Sequence, residues 1–463
     1  MSVMTEVPPA AVEALQAGFR GKVLRPEDSG YETARRVHNG MIDRRPAAIA
    51  CCVDVADVMA AVRTAREHGL IAAVRGGGHN GAGFGVVDDG LVIDLGGMRG
   101  VRVAPERSLV TVEGGATWGD VDHATHPFGL AVPSGVVSTT GVGGLTLGGG
   151  IGHLARHYGL SIDNLRSADV VLADGSFVTA SQDEHPELFW ALRGGGGNFG
   201  VVTSFTFQAR PVRNVIAGPV FHDVSDTGDV LRWYRDFLPS APRELNGFFL
   251  VGTVPPAPPF PEELHGRNVC GGVWVYTGDH DRADEVLEPV RTAGEPLLDG
   301  LHEVPFPALQ SVFDPLYPSG LQTYWRGDFV ATISDEAIEV HERFAEVPTP
   351  LSTMHLYPID GAVHDVGANE TAFRHRDATW SAVFLGADPD PSNADRVRDW
   401  AVRYWEQMHP TTAGGSYVNF MMEEGHDRVR ATYGENYDRL TRIKATYDPE
   451  NRFRVNQNIP PAT

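Results

Sequence analysis

Residues 73–85 read Ala73-Val74-Arg75-Gly76-Gly77-Gly78-His79-Asn80-Gly81-Ala82-Gly83-Phe84-Gly85, and this stretch decides the fold because it places one histidine among six glycines. The apolar run at 71–74 predicts a strand. Glycine lets a backbone approach a ligand closely, so the glycines before His79 predict N–H groups that point at phosphates. A turn and an alternating strand follow at 86–95, whereas a Rossmann glycine run opens a helix. The pattern therefore excludes a Rossmann site.

Two pieces of this region carry a resemblance to a known family: Arg-Gly-Gly-Gly-His at 75–79 and Asp-Gly-Leu-Val-Ile-Asp-Leu at 89–95. They resemble the covalent-flavin oxidases of the vanillyl-alcohol oxidase and berberine-bridge-enzyme superfamily. In that family the histidine is bonded to the 8α-methyl group of FAD, so the resemblance implies that His79 is the flavin attachment site. It also implies an α+β, two-domain PCMH-type FAD-binding fold with an inserted substrate domain, an antiparallel sheet covered by helices.

Further motifs extend the resemblance over nearly the whole chain. A second glycine-rich stretch occupies 133–152 and continues into Tyr-Gly-Leu-Ser-Ile-Asp-Asn-Leu at 158–165. A third, at 187–203, contains a bare Gly-x-Gly-x-x-Gly, but an alternating strand follows it instead of a helix, so the dinucleotide-binding reading fails there too. The segments at 416–420, 433–440 and 444–459 match the C-terminal signature of the berberine-bridge branch.

Composition limits the class of protein. The 463 residues, 42% hydrophobic and 21% charged, predict a globular chain with more than one core. A formal net charge of −22 argues against a nucleic-acid partner, which requires a positive surface. Three cysteines without metal spacing argue against a disulfide framework. Residues 1–20 lack the apolar core of a signal peptide, and no transmembrane segment is visible, so we expect a cytoplasmic protein without a membrane partner.

The order of elements predicts three segments. Strand, helix and strand at 47–53, 54–67 and 71–74 imply a parallel crossover, and residues 12–20 predict a short amphipathic helix. We expect the FAD-binding domain at 1–210, the substrate domain at 211–410 and a return to the FAD-binding domain at 411–463. The middle segment predicts strands at 247–254, 272–276, 324–333, 354–359 and 380–385, and helices at 282–293, 335–347 and 394–409. The density of glycine at 133–152 disfavours a regular element there and predicts a segment shaped by its ligand.

The resemblance implies a set of cofactor-binding residues and one covalent link. Bicovalent members carry a cysteine where this chain has Val137, so a single link through His79 is expected. The expected cofactor-binding residues are Arg75, Gly76, Gly77, Gly78, His79, Asn80, Gly83, Pro133, Gly135, Thr140, Gly141, Gly144, Gly148, Gly149, Gly150, Gly152, Asn164, Gly197, Val201, Asn419, Asn456 and Asn458. No metal is expected, because His153 and His157 lack the glutamate of His-Glu-x-x-His and the chain has no other zinc spacing.

Two residues are candidates for the chemistry. Tyr417, in Tyr-x-Asn-Phe, matches the tyrosine that acts as base in related carbohydrate and alcohol oxidases; a structural aromatic packed on the flavin would look the same in sequence. A phenol with a pKa of about 10 needs help to act as a base at neutral pH. Thr140 falls where the family lines the dioxygen pocket, or is an ordinary turn threonine. Candidate walls of the substrate pocket are Tyr324, Trp325, His355, Tyr357 and His375, with Arg376 beside them.

The expected function is an FAD-dependent oxidase. It would remove hydride from a small-molecule alcohol, amine or secondary-metabolite intermediate and reduce dioxygen to hydrogen peroxide, with the substrate and dioxygen as its partners. Gly81 and Ile151 replace aromatic residues of the monolignol-type enzymes, which argues against that substrate. Two alternatives stay open: a tailoring oxygenase of polyketide-type biosynthesis that uses an oxygenated flavin, and a non-catalytic flavin-binding protein. The sequence does not define the oligomeric state.

Overall fold

The computed structural model describes residues 9–16 and 18–463, and residues 1–8 and 17 lie outside the described part, including one position of the helix expected at 12–20. Four strands form the first sheet, in the order β1-β2-β4-β3, with β2 and β3 both parallel to β4. Three helices accompany them. The elements, in chain order, are α1 (Pro9–Gln16), β1 (Lys22–Leu24), α2 (Tyr31–Ala34), β2 (Ala48–Cys51), α3 (Val55–Glu67), β3 (Ala72–Arg75) and β4 (Leu91–Asp94).

Helix α3 shows how the sequence specifies this region. Asp54 caps its N-terminus by accepting a hydrogen bond from the Asp57 backbone N–H at 3.0 Å. Val58 and Val62, one turn apart on the same face, are buried against the sheet. Helix α3 therefore packs against the sheet that contains β3. The glycine-rich loop with His79 begins directly after β3 ends at Arg75.

A second, wholly antiparallel sheet follows, in the order β5-β6-β10-β8-β9, and a short pair, β7 with β11, lies beside it. Strand β10 begins directly after the Gly-x-Gly-x-x-Gly of the third glycine-rich stretch, as expected from its alternating pattern. The elements are β5 (Val101–Ala104), β6 (Leu109–Glu113), α4 (Trp118–Thr125), β7 (Leu130–Ala131), α5 (Val142–Gly148), α6 (Ala155–Tyr158), β8 (Leu165–Val171), β9 (Phe177–Ser181), α7 (Pro186–Leu192), β10 (Val201–Gln208) and β11 (Arg210–Pro211).

The expectation of irregular structure throughout 133–152 is wrong for α5. Each glycine costs about 1 kcal/mol relative to alanine in a helix, but tertiary burial overrides that preference. Val142 and Leu147 are buried in the main apolar core, and Leu145 packs against it. The chain's own core therefore holds this helix, although its glycines disfavour it.

The third sheet is antiparallel and holds eight strands, in the order β15-β12-β14-β13-β18-β19-β17, with β16 also paired to β12. The predicted strands and helices of this segment are all present, and five further elements, β12, α8, β15, β16 and α10, were not predicted from the sequence. The elements are β12 (Asn214–Asp223), α8 (Thr227–Phe237), β13 (Leu245–Thr253), β14 (Asn268–Tyr276), α9 (Ala283–Arg291), β15 (Leu298–Asp299), β16 (His302–Pro305), α10 (Phe306–Gln310), β17 (Gln322–Val330), α11 (Asp335–Arg343), β18 (Thr353–Pro358), β19 (Trp380–Asp388) and α12 (Ala394–Met408).

The two faces of this sheet have different neighbours, because successive side chains of a strand point to opposite faces. On β13, Phe249 packs into a core shared with α8, α11 and α12. Its neighbour Phe248 belongs to a different cluster, which includes Ile151 and Tyr417. Helices therefore cover one face of the sheet, and the other face turns toward the second glycine-rich stretch.

The C-terminal segment returns to the first half of the chain through helices α13 (His426–Tyr433) and α14 (Tyr437–Tyr447). Val429 and Leu440 are buried in the same core as Phe205 of β10. This packing supports the expected return at 411–463, and the segment bounds at 210 and 410 stay a prediction. Within the described residues, no helix is both long and apolar enough to cross a membrane.

Candidate active site

A cavity of about 330 Å³ lies between the glycine-rich loops and the third sheet. The chain brings to it segments that are far apart in sequence: the loop after β3, the stretch before α5, the uncovered face of β13 and β18, and the Tyr-x-Asn-Phe segment. Predicted site residues on its wall are Arg75, Gly76, Gly77, Gly78, His79, Asn80, Gly135, Thr140, Gly141, Gly144, Gly197, Trp325, His355, Tyr357, Tyr417, Asn419 and Asn456.

His79 lies half-buried on the cavity wall, four residues after Arg75, where β3 ends. Its ring stacks on that of His38, with centroids 4.0 Å apart and an interplanar angle of 28°. Burial lowers the pKa of His79 to about 3, and the neighbouring His38 contributes in the same direction. The imidazole is therefore neutral at physiological pH and carries a free lone pair, the form in which it can act as a nucleophile.

The loops that carry His79 and Thr140 touch through glycine backbone. A Cβ atom on Gly77 would lie 2.5 Å from the Gly141 nitrogen, and one on Gly141 would lie 2.4 Å from the Gly77 nitrogen. Any larger residue would push the two loops apart. The Thr140 carbonyl accepts a hydrogen bond from the Trp118 backbone N–H at 3.0 Å, which connects its loop to the start of α4.

Several polar groups of the cavity wall lack protein partners. Within the described ranges, no backbone N–H of residues 76–80 donates a hydrogen bond to another residue. Tyr433 Oη and Asn456 Oδ1 are buried and also have no partner among the described residues. Since buried polar groups in proteins are almost always hydrogen-bonded, this wall is built for a ligand with several acceptor and donor atoms.

Tyr417 also lies on the cavity wall and is 3% exposed. Its phenol oxygen accepts hydrogen bonds from the Gly150 backbone N–H at 2.9 Å and from Asn419 Nδ2 at 2.8 Å. Gly149 (φ +137°) leaves room for the ring, because a Cβ there would lie 3.2 Å from Tyr417. Burial raises the pKa of Tyr417, while the Gly150 and Asn419 donors lower it. The two donors leave the O–H of the neutral phenol free to face the cavity. Once that proton is lost, the same donors would stabilise the phenolate.

Arg75 lines the cavity wall, but its guanidinium forms an ion pair with Asp94. It donates to Asp94 at 2.8 and 3.3 Å, which joins β3 to β4. Asn164 is likewise fully engaged, donating to the Tyr158 and Leu160 carbonyls and accepting from Arg210. The remaining predicted cofactor residues lie outside the cavity wall: Gly83, Pro133, Gly148, Gly149, Gly150, Gly152, Asn164, Val201 and Asn458.

The predicted pocket residues divide into two groups. Trp325, His355 and Tyr357 line the cavity from the third sheet. Tyr324 packs against the helix-covered core on the other face, and the His375 ring stacks on Phe329 at 4.4 Å. The separation of Tyr324 from Trp325 follows the alternation of strand side chains, since the two residues are neighbours on β17.

Several residues of the wall were not predicted from the sequence. His38 stands far upstream in an irregular segment, and Phe313 and Tyr317 belong to the connection between α10 and β17. None of these positions stands in a motif, so only the tertiary structure brings them to the site. For Tyr433, its place within the C-terminal signature was an available signal.

The two histidines considered as metal ligands have different surroundings. His153 is buried, with its ring 6.0 Å from that of Phe248. His157 Nδ1 forms a 2.8 Å hydrogen bond with Thr277 Oγ1. No group of three or more potential metal ligands occurs in the described part of the chain.

Comparisons with known proteins define the class of this site. Residues 46–181 match the family described as FAD binding domain, and residues 416–460 match the family described as berberine and berberine like. The chain is 32% identical to the uncharacterized FAD-linked oxidoreductase YgaK of Bacillus subtilis, over 95% of this chain and 97% of that one. It is 31% identical to (R)-6-hydroxynicotine oxidase of Paenarthrobacter nicotinovorans, over 97% and 98%.

A solved structure gives the same result. The crystal structure of 6-hydroxy-D-nicotine oxidase from Arthrobacter nicotinovorans superposes with a TM-score of 0.86 at 29% identity, covering 96% of this chain and 98% of that one. The expected α+β, PCMH-type fold is thereby confirmed. These matches define an FAD-linked oxidoreductase. The chain belongs to the berberine-bridge-enzyme-like family of FAD-linked oxidoreductases within the vanillyl-alcohol oxidase superfamily.

The residues present fit FAD. The unpartnered N–H groups of residues 76–80 suit the oxygens of a pyrophosphate, and the buried Asn456 Oδ1 and Tyr433 Oη suit a ligand rich in polar atoms. The close contact of Gly77 with Gly141 shapes one side of the cavity. His79 and Tyr417 both face this space, so it holds both a nucleophilic imidazole and a hydrogen-bonded phenol.

Proposed function

We propose that the chain is an FAD-dependent oxidase whose flavin is attached covalently through His79 alone. The observation that carries the proposal is the neutral His79 imidazole on the cavity wall, at the end of a loop with unpartnered N–H groups. Forming the link replaces one C–H bond of the flavin methyl group by a C–N bond, and the two electrons released go to dioxygen. Val137 lines the same cavity where a second link would need a cysteine.

The flavin supplies the redox chemistry, accepting a hydride from a small-molecule alcohol, amine or secondary-metabolite intermediate and passing the electrons to dioxygen, which leaves as hydrogen peroxide. In this proposal Tyr417 first releases its own proton to solvent, and the phenolate then takes the substrate proton. Its oxygen is already bonded by the Gly150 N–H and the Asn419 amide, which stabilise negative charge on it. Thr140, a small side chain on the wall, leaves space for dioxygen.

The test compares the wild-type protein with His79→Ala. After denaturation and acid precipitation, the wild-type pellet should remain yellow and the variant pellet should lose its colour. In a separate assay, the native wild-type protein should produce peroxide when it is incubated aerobically with a panel of alcohols and amines. A wild-type pellet that loses its colour would refute the covalent link, and bound flavin that no compound bleaches under anaerobic conditions would refute the oxidase.

A further inference from the structure

Two neighbouring side chains of β18 form a buried pair on the cavity wall. His355 Nδ1 lies 2.6 Å from Tyr357 Oη, and both residues line the cavity. Burial lowers the pKa of His355 to about 3 and raises the pKa of Tyr357 well above 10. The pair is therefore uncharged at neutral pH. Its hydrogen bond leaves His355 Nε2 without a partner among the described residues.

Charge is scarce around this pair. Among the described residues that line the cavity, Arg75 carries the one permanently charged side chain, and Asp94 neutralises it. Lysine, aspartate and glutamate are not found on this wall within the described ranges. The backbone N–H groups that suit the flavin pyrophosphate belong to the loop at 76–80, whereas the ring neighbours of the His355/Tyr357 pair are Phe248 and Phe420. Burying a ligand charge without a counter-charge costs several kcal/mol. An ionised substrate is therefore disfavoured beside this pair.

The rest of the wall near the pair is aromatic. The Phe248 ring lies 5.3 Å from that of His355 and 5.0 Å from that of Tyr357. The Phe420 ring lies 5.6 Å from Tyr357 and 4.9 Å from Tyr417, so it joins the pair to the proposed base. Such spacing suits a flat ring that stacks or packs edge to face.

We propose that the substrate is an uncharged aromatic molecule with a polar ring substituent, and that the His355/Tyr357 pair binds this substituent. The inference rests on the proposed function, since it takes this cavity as the substrate site. The pair offers one hydrogen-bond donor and one acceptor, whichever tautomer His355 adopts. Charged amines and acids are then rejected because the site offers them no counter-charge. The site therefore selects its substrate by the cost of binding the wrong ligand as well as by a hydrogen bond to the right one.

The first experiment measures ligand binding to the flavin-loaded protein by isothermal titration calorimetry. The probes share one ring system and differ in charge: 2-naphthol is neutral, 2-naphthoate is an anion and 2-naphthylmethylammonium is a cation. We expect 2-naphthol to bind at least about tenfold more tightly than either charged probe, which corresponds to a difference of about 1.4 kcal/mol. Equal or tighter binding of a charged probe would overturn the proposal.

The second experiment uses a matched pair of variants. His341 Nδ1 lies 2.6 Å from Tyr404 Oη, a buried pair of the same kind between α11 and α12, away from the cavity. Tyr357→Phe should weaken 2-naphthol binding about tenfold. The variant loses one hydrogen bond to the ligand and also the hydrogen bond by which Tyr357 orients His355. Tyr404→Phe should leave the affinity unchanged. Equal losses in both variants would show a general structural effect and refute the assignment.

The binding measurements separate this inference from the proposed function. A protein that prefers the neutral probe and loses that preference in Tyr357→Phe supports the substrate class, even if no compound yields peroxide. A protein that yields peroxide fastest from a charged substrate confirms the oxidase and refutes the substrate class.

Discussion

Asp122 gives the sharpest prediction about stability, because its carboxyl is buried without an ion-pair partner. It lies on α4 at 2% exposure, and neither oxygen has a partner with normal hydrogen-bond geometry among the described residues. Burial raises its pKa to about 8, with the nearby Asp314 adding to the effect. The adjacent Gln310 donates a 2.6 Å hydrogen bond to Ser134, next to the cavity wall. A change of charge at Asp122 would therefore act on Gln310 and Ser134, which lie next to the wall of the proposed flavin site.

The magnitude follows from proton linkage. A carboxyl with a pKa raised on folding stabilises the protein while it is protonated, and this stabilisation is lost as the pH rises toward the folded pKa. With pKa values of about 8 when folded and about 3.9 when unfolded, Asp122 contributes about 3 kcal/mol at about pH 5.5 and about 1 kcal/mol at about pH 7.5. Asp122→Asn removes this titration. The variant should therefore gain about 2 kcal/mol relative to wild type over that range.

Urea unfolding of both proteins at the two pH values measures this change. Asp390→Asn is the control, since hydrogen bonds from Ser392 lower the pKa of that exposed aspartate and it stays ionised throughout the range. Its difference from wild type should be the same at both pH values. If the Asp122→Asn difference is also independent of pH, Asp122 is ionised in the folded protein and the reasoning from burial is wrong.

Three further predictions concern the site and its supports. Tyr417→Phe removes the proposed base and should lower kcat by about 10²–10⁴, with bound FAD unchanged, as measured by the peroxide assay and the flavin absorbance. Gly141→Ala places a Cβ 2.4 Å from the Gly77 nitrogen and should reduce FAD incorporation, as measured by the ratio of flavin to protein absorbance. Lys444→Met removes the partner of the fully buried Asp448 at 2.6 Å and should cost about 3–5 kcal/mol of unfolding free energy, as measured in urea.

Each of these three has its own control and contrary result. A Tyr417→Phe variant with the wild-type kcat would show that Tyr417 is not the base. Gly18→Ala, at a loop position where a Cβ meets no atom within 4 Å, should retain full FAD incorporation, and normal loading of Gly141→Ala would show that the loops can separate. A second change, Asp448→Asn in the Lys444→Met background, should restore part of the lost stability, because it removes the uncompensated charge.

Much of the fold was readable from the sequence because its signals are local. The crossover at 47–74 has apolar runs for its strands and a helical periodicity between them, and the structure contains these elements, with Asp54 at the cap of α3. Helix α5 was missed because glycine propensity is a local signal, whereas Val142 and Leu147 are held by a core assembled from distant segments. Strand β12 and α8 were missed because no motif occurs at 214–237.

The site divides in the same way. The glycine runs and the Tyr-x-Asn-Phe segment are motifs, so the positions of His79, Thr140 and Tyr417 on one wall could be expected. His38 and Phe313 have no local signature and reach the cavity only through tertiary packing. Tyr324 and Trp325 show the limit of sequence patterns, since adjacent strand residues face opposite sides and the sequence alone did not show which side was the cavity.

The central claim is that the His79 imidazole carries the flavin, and one measurement tests it directly. Trypsin cleaves after Arg75 and Arg99, so residues 76–99 form one peptide that contains His79. In freshly isolated, fully loaded protein, mass spectrometry should find this peptide heavier by one FAD moiety, with fragmentation locating the addition at His79. The unmodified mass in such a preparation would contradict the account.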